Sequence, residues 1–168
     1  MKLHIVLHEP EIPQNTGNIA RTCAAIGARL HLIEPLGFSI SEKAVRRAGL
    51  DYWDSLDIST YPDLDAFLES TPVNSLYLVS TKAPKCFTEI EYPDETFLLF
   101  GKESKGLPEP LLRRFHKQTV RIPMIHEKRS LNLSNAAAIA AYEVLRQRHF
   151  EGLETTGCPV TFSWENLH

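Results

Sequence analysis

The sequence has no surplus of positive charge. Its 168 residues include 18 Lys and Arg against 21 Asp and Glu, a net charge of −3, so a polyanionic partner has to be held by a local basic patch and not by a generally cationic surface. Cysteine is scarce: Cys23, Cys86 and Cys158 stand far apart, with no C-x-x-C pair and no His spacing suited to zinc. That excludes a disulfide framework and predicts reduced thiols in a cytoplasmic protein. No apolar run is long enough to span a bilayer. The first residues, one Lys and a short apolar run broken by His4, His8 and Glu9, lack a signal-peptide core, so no membrane association is expected. Neither G-x-G-x-x-G nor G-x-x-x-x-G-K-[ST] occurs, which removes the two commonest nucleotide-binding readings of an α/β chain. The seven histidines show no H-E-x-x-H or other ligand spacing, and no metal is expected.

What is present is a regular alternation. Apolar runs at Leu3 to Leu7, Leu30 to Ile33, Ser75 to Ser80, Phe97 to Phe100 and Val120 to Ile122 predict strands. Asn18 to Ile26, Ser41 to Ala48, Leu64 to Ser70, Pro110 to Phe115 and Asn135 to Arg148 have helical length or periodicity. Strands that are apolar throughout and alternate with helices indicate an α/β fold with a mostly parallel sheet covered on both faces. Ligands of such sheets sit beyond the carboxyl ends of the strands. With 43% hydrophobic residues the chain can build one core. Residues 1–151 are expected to form one domain, and 152–168, broken by Gly152, Gly157 and Pro159, a tail.

Three segments at strand ends combine Gly, Pro, Asn and charge. In Pro13-Gln14-Asn15-Thr16-Gly17-Asn18-Ile19-Ala20-Arg21, Asn15 or Asn18 can cap a helix, with Arg21 about one turn inside, near a positive helix end that suits a phosphate. The alternative is a capped helix with a solvated Arg. Phe100-Gly101-Lys102-Glu103-Ser104-Lys105-Gly106-Leu107-Pro108 describes either a shaped loop suited to an adenine edge or ribose, or an ordinary strand-to-helix turn. In the third, Ile122-Pro123-Met124 is followed by Arg129-Ser130-Leu131-Asn132-Leu133-Ser134-Asn135-Ala136, which holds more hydrogen-bonding groups than one helix cap requires. The surplus points to a ligand; the alternative is that Ser134 or Asn135 caps the final helix and the rest is loop. Lys43, Arg46 and Arg47 form a basic cluster that either contacts RNA phosphates or is a solvated helix face, and Arg113, Arg114 and Lys117 present the same choice.

In this order the segments N-x-G-N-x-x-R, F-G-x-E-x-x-G-L-P and I-P-M then S-L-N-L-S-N-A resemble the SpoU-type group of the SPOUT methyltransferases, over the chain from about Leu3 to Arg148. The opening Glu9 to Ile19 and the segment Arg46 to Trp53 are most similar to the short subgroup that methylates the wobble-position ribose of tRNA. The resemblance implies a sheet whose C-terminal part is threaded into a deep trefoil knot, a rare exception to the rule against threading. It also implies a homodimer and an S-adenosyl-L-methionine cofactor, with S-adenosyl-L-homocysteine as product, held at Val79, Gly101, Ile122, Ser130 and Leu131. By the same resemblance Arg21 acts on the ribose 2′-hydroxyl, with Asn15, Glu103, Ser130 and Asn132 shaping the site.

Methyl transfer from a sulfonium is an in-line displacement that needs alignment and the management of one proton. A guanidinium with a pKa above about 12 is no base, so Arg21 is expected to bind the adjacent phosphate and stabilise the developing alkoxide. The implied substrate is the wobble ribose, of cytidine or a modified uridine, in a tRNA anticodon loop, where riboses are exposed without opening a duplex. The rivals are a methyltransferase of ribosomal RNA and a non-catalytic RNA-binding protein of the same fold. With the first strand at Leu3, no appended RNA-binding module is expected, which favours the small substrate. A binder would not need Asn15, Arg21, Glu103, Ser130 and Asn132 together.

Overall fold

Along β1 (Lys2–His8) successive side chains turn to opposite faces of a sheet, and Leu3, Ile5 and Leu7 are as deeply buried as His4, Val6 and His8. A strand buried on both faces needs a layer on each side, and the computed structural model provides both. It describes residues 2–40, 56–125, 130–161 and 164. The predicted helix over Ser41 to Ala48 and the cluster Lys43, Arg46 and Arg47 lie outside the described residues.

The elements that follow are α1 (Pro13–Ile26), β2 (Arg29–Ile33), β3 (Ile58–Tyr61), α2 (Leu64–Ser70), β4 (Leu76–Val79), β5 (Lys85–Cys86), β6 (Glu95–Phe100), α3 (Glu109–Arg114), β7 (Thr119–Arg121) and α4 (Leu133–Gln147). Among the described residues the strands form one sheet of seven in the order β3-β2-β1-β6-β4-β7-β5, and every pairing between them is parallel. Leu3, Ile5 and Leu7 pack with Ile19, Ala20 and Cys23 of α1 and with Ala137, Ala140, Ala141 and Val144 of α4. The opposite face joins Val6, Leu78, Phe97 and Leu99 to Phe67 of α2 and Leu111 of α3. The alanines of α4 leave room for α1 beside it, and burial lifts the Cys23 thiol to about 12, where it is an inert small hydrophobe.

Two strands escaped the sequence reading, for different reasons. β3 is an edge strand of mixed polarity, ISTY, none of it fully buried, and β5 is only two residues long. Helix boundaries also differ. α1 begins five residues before Asn18, at Pro13, with Ile12 as a cap that makes no side-chain hydrogen bond. Proline starts a helix well because its missing N–H is not needed in the first turn, so neither Asn15 nor Asn18 caps it. The cap of α4 is Asn132, whose side chain accepts from the amides of Ser134 and Asn135. Those two residues, the alternative caps in the sequence, are the ones being capped.

The face of the sheet that carries α2 and α3 holds an unusual polar line. His4 Nδ1 and His31 Nε2 are 2.9 Å apart, His31 Nδ1 lies 3.0 Å from the Tyr61 hydroxyl, and His4 stacks on Phe97 at 3.9 Å. Burial lowers His31 from 6.5 to about 4 and lowers His4 in the same direction. His31 is therefore held neutral near neutral pH in the folded protein, with His4 shifted the same way, whereas the unfolded chain takes up these protons near its ordinary value. The stability present above 6.5 is thus lost as pH falls towards 4. His31→Gln should remove the part due to His31, as much as about 3 kcal/mol. Urea unfolding at neutral pH and near the lower limit measures it: the parent should lose clearly more stability between the two than the variant.

Candidate active site

The carboxyl ends of β4, β6 and β7 open into a cavity of about 580 Å³, within the range of cofactor pockets. Its walls come from five places in the chain: Ile12 and Asn15 at the start of α1, Val79 to Lys82 after β4, Phe100 to Leu107 after β6, Ile122 and Met124 after β7, and Ser130 to Leu133 with Ala136 at the start of α4. All five positions assigned to the cofactor, Val79, Gly101, Ile122, Ser130 and Leu131, stand on this wall together with Asn15, Glu103 and Asn132.

A chain of hydrogen bonds binds the three motif segments to one another. Glu103 accepts from the backbone amides of Glu11 at 2.8 Å and Ile12 at 3.3 Å and from Asn15 Nδ2 at 2.9 Å. It thus satisfies the start of α1, which has no side-chain cap of its own, and puts a negative charge at the positive helix end. Asn15 Oδ1 in turn accepts from Asn132 Nδ2 at 2.9 Å, and Asn132 Oδ1 accepts from the Ser134 hydroxyl at 2.6 Å and its amide at 2.9 Å. Asn15 is buried, so each of its two polar ends needs the partner it has.

A second clasp runs alongside. Glu11 accepts from the Ser104 amide and hydroxyl at 2.9 and 2.8 Å, which holds its carboxyl below the ordinary range, and Lys102 pairs with Glu9. That pairing raises Lys102. Glu9 itself stands at φ 49°, a left-handed conformation uncommon for a non-glycine residue. The loop after β6 is closed on itself by Gly106, at φ 69°, whose amide donates to the Lys102 carbonyl at 2.8 Å. A Cβ on Gly101 would lie 2.1 Å from the Gly106 carbonyl carbon and 2.3 Å from the Leu107 nitrogen. Gly101 is therefore required by the loop's own closure.

Arg21 stands apart. It is the ninth residue of α1, about 12 Å along the axis from Pro13, exposed on the side that carries Gln14 and Asn18, and it is not part of the cavity wall. The expected help from a positive helix end is absent because α1 starts earlier than its Asn residues suggested. Sequence reasoning also missed Ser80, Thr81 and Lys82, which follow β4 and line the cavity, with Lys82 paired to Glu109 at 2.6 Å. Their only signal was position, three polar residues just past a buried strand.

A doubly covered parallel sheet with a cavity built from loops after its central strands, fixed by these three motifs, is the architecture of a class of RNA methyltransferases. The chain belongs to the SpoU rRNA Methylase family, whose model matches residues 2–142. It is 46% identical over 151 residues to the tRNA (cytidine(34)-2′-O)-methyltransferase of Escherichia coli, across 89% of this chain and 96% of that one. Among solved structures, one described by the 2′-OH methylation of C/U34 on tRNA superposes with a TM-score of 0.81 at 47% identity, over 89% of this chain and 97% of that one. The SpoU methyltransferase AviRb of Streptomyces viridochromogenes, in complex with the cofactor AdoMet, superposes with a TM-score of 0.77 at 27% identity, over 88% of this chain and 58% of that one.

The two loop glycines provide a test of the geometry. Gly101→Ala should displace the 101–107 loop, cost about 1 to 3 kcal/mol of stability and weaken S-adenosyl-L-methionine binding at least about tenfold. Gly106→Ala meets no atom within 4 Å and should cost only about 1 kcal/mol, through its backbone angle. Calorimetric titration and thermal unfolding of both variants would reveal the order; equal effects would contradict the close approach at Gly101.

Proposed function

We infer that this chain is an S-adenosyl-L-methionine-dependent 2′-O-methyltransferase acting on the wobble ribose, of cytidine or a modified uridine, in a tRNA anticodon loop. The observation that carries this is end-to-end kinship with the Escherichia coli enzyme named for that reaction, with 46% identity over nearly the whole of both chains. The ribosomal-RNA alternative rests on relatives such as an AdoMet-bound rRNA methyltransferase of Sinorhizobium meliloti, at 26% identity and little more than half of that chain's length.

The cavity fits the cofactor's two-sided chemistry. Val79, Ile122, Leu133 and Ala136 offer apolar wall, while Ser80, Thr81 and Ser130 offer hydrogen-bonding groups. When bound there, S-adenosyl-L-methionine supplies an electrophilic methyl group on a sulfonium. The protein's part is alignment and charge: the Glu103, Asn15 and Asn132 chain fixes the loops, and Arg21 binds the phosphate next to the target ribose and stabilises the oxygen as its proton leaves to phosphate or water. Arg21 lies off the wall of its own cavity, and a homodimer is how we bring such a group to a reacting ribose. Ile139 and Tyr142, 40% and 48% exposed on α4 beside α1, support such an interface.

We further take the C-terminal part to be a trefoil knot. In support, β6 and β7 flank β4, and the segment after β7 returns to the cavity beside the loop after β6. Residues 1–151 then form the catalytic domain and 152–168 a tail, in a protein of the cytoplasm. Lys43, Arg46 and Arg47 remain candidates for RNA phosphate contacts.

Incubation with S-adenosyl-L-methionine and unmodified tRNA, followed by mapping of methylated riboses, tests the reading: methylation at the wobble position supports it, and methylation confined to ribosomal RNA overturns it. In the same assay Arg21→Ala should lose about 100- to 1,000-fold in turnover while its cofactor affinity stays at the parent's value. Near-normal turnover would remove Arg21 from the reaction.

A further inference from the structure

We propose that the turn between α3 and β7 is a second RNA contact, a phosphate-backbone docking patch of Arg113, Arg114, His116 and Lys117 set apart from the cavity. The inference rests on the RNA substrate proposed above and adds to it where the rest of that RNA runs.

The chain has more acids than bases, yet between Glu109 and Glu127 no residue is acidic, and this stretch holds Arg113, Arg114, His116, Lys117 and Arg121. Most cations elsewhere among the described residues are spent on carboxylates: Lys2 on Glu95, Arg29 on Asp57, Lys82 on Glu109, Lys102 on Glu9, Arg146 on Glu143 and Arg148 on Asp94. Arg113, Arg114 and Lys117 are exposed and take part in no ion pair among the described residues. Cations left unpaired at close quarters repel one another, and an anionic partner relieves that.

The patch is held in shape. Phe115, buried between the two arginines and the lysine, anchors the turn in the core, and the Arg114 guanidinium lies 5.2 Å over its ring, an arrangement that orders a cation without neutralising it. Gln118 Nε2 donates to the carbonyls of Val73 at 2.7 Å and Leu76 at 2.9 Å, which ties the turn to the amino end of β4. His116 Nδ1 lies 3.2 Å from the Arg113 carbonyl. Arg113, Arg114 and Lys117 therefore project from a fixed platform, which lowers the entropy lost on docking.

Position favours a backbone over any compact anion. The turn stands at the amino end of β7, and the strand leads to Ile122 on the cavity wall, about 10 to 16 Å away at the rise of an extended chain. That corresponds to roughly three to five steps of a nucleic-acid strand at 3.4 Å each. The patch thus lies a few nucleotide lengths from the cavity, at the other end of β7, within reach of an RNA whose target ribose is in the cavity. This contact reads no sequence; it sets position and adds affinity.

The test compares the parent with the triple variant Arg113→Gln, Arg114→Gln, Lys117→Gln, titrating unmodified tRNA at several salt concentrations. We expect tRNA affinity to fall at least about tenfold and the slope of log affinity against log salt to become shallower by about 2, with S-adenosyl-L-methionine affinity and the thermal midpoint unchanged. A parent that binds and methylates tRNA while the variant matches its affinity and slope overturns the patch alone. A parent that binds no tRNA overturns the RNA substrate itself and the patch with it. Loss of binding to phosphatidylserine vesicles with tRNA affinity intact would assign the surface to a membrane and equally overturn the proposal.

Discussion

The carboxylate of Glu103 is the point on which the site depends. Among the described residues it is the one side chain that accepts from the backbone amides at the start of α1, it comes from a loop some ninety residues away in sequence, and through Asn15 it reaches Asn132 at the start of α4. One chain of hydrogen bonds therefore fixes the relative position of the two helices that cover one face of the sheet and of the loop that forms the cavity floor. If the loop after β6 moves, the start of α1 loses its acceptor and α4 loses a restraint on its own cap. In a partly buried setting such bonds are individually modest, but an unsatisfied partner costs about 1 to 3 kcal/mol, so the three segments are most stable all in place.

This arrangement changes the meaning of the polar residues in the motifs. Asn15, Glu103 and Asn132 have their groups turned on one another, which fixes the shape of the cavity wall. Gly101 is likewise needed for how its loop closes. The same economy of charge holds across the molecule: Glu9, Glu11 and Glu109 are engaged by Lys102, Ser104 and Lys82 around the cavity rim. The acidic excess of the sequence is thereby partly engaged around the cavity rim.

Much of the fold was legible because burial on both faces leaves a largely apolar strand: β4 and β6 carry that mark, β1 and β2 carry it apart from their histidines, and β7, TVR, shows it only at Val120. β3 was not, because an edge strand needs no continuous apolar run, nor was β5, because two residues carry no period. The site's composition could be read from Gly, Pro and Asn clusters at strand ends, and its cavity residues were found through family resemblance. What sequence could not supply was the pairing. Nothing in the spacing of Asn15, Glu103 and Asn132 says which accepts from which, and the choice of cap in α1 and α4 depends on partners distant in the chain. Arg21 shows the cost: measured from Asn18 it lies near a helix end, whereas measured from Pro13 it lies mid-helix.

The most direct test of this account is a double-mutant cycle on Asn15 and Asn132. Asn15→Ala, Asn132→Ala and the double variant would each be measured by denaturant unfolding and by calorimetric binding of S-adenosyl-L-methionine. Asn132→Ala also removes the cap of α4, a loss present in both the single and double variants, so the cycle cancels it. The account predicts a coupling energy of at least about 1 kcal/mol, with the double variant binding cofactor no more weakly than the worse single one. Additive losses in both measurements would contradict it.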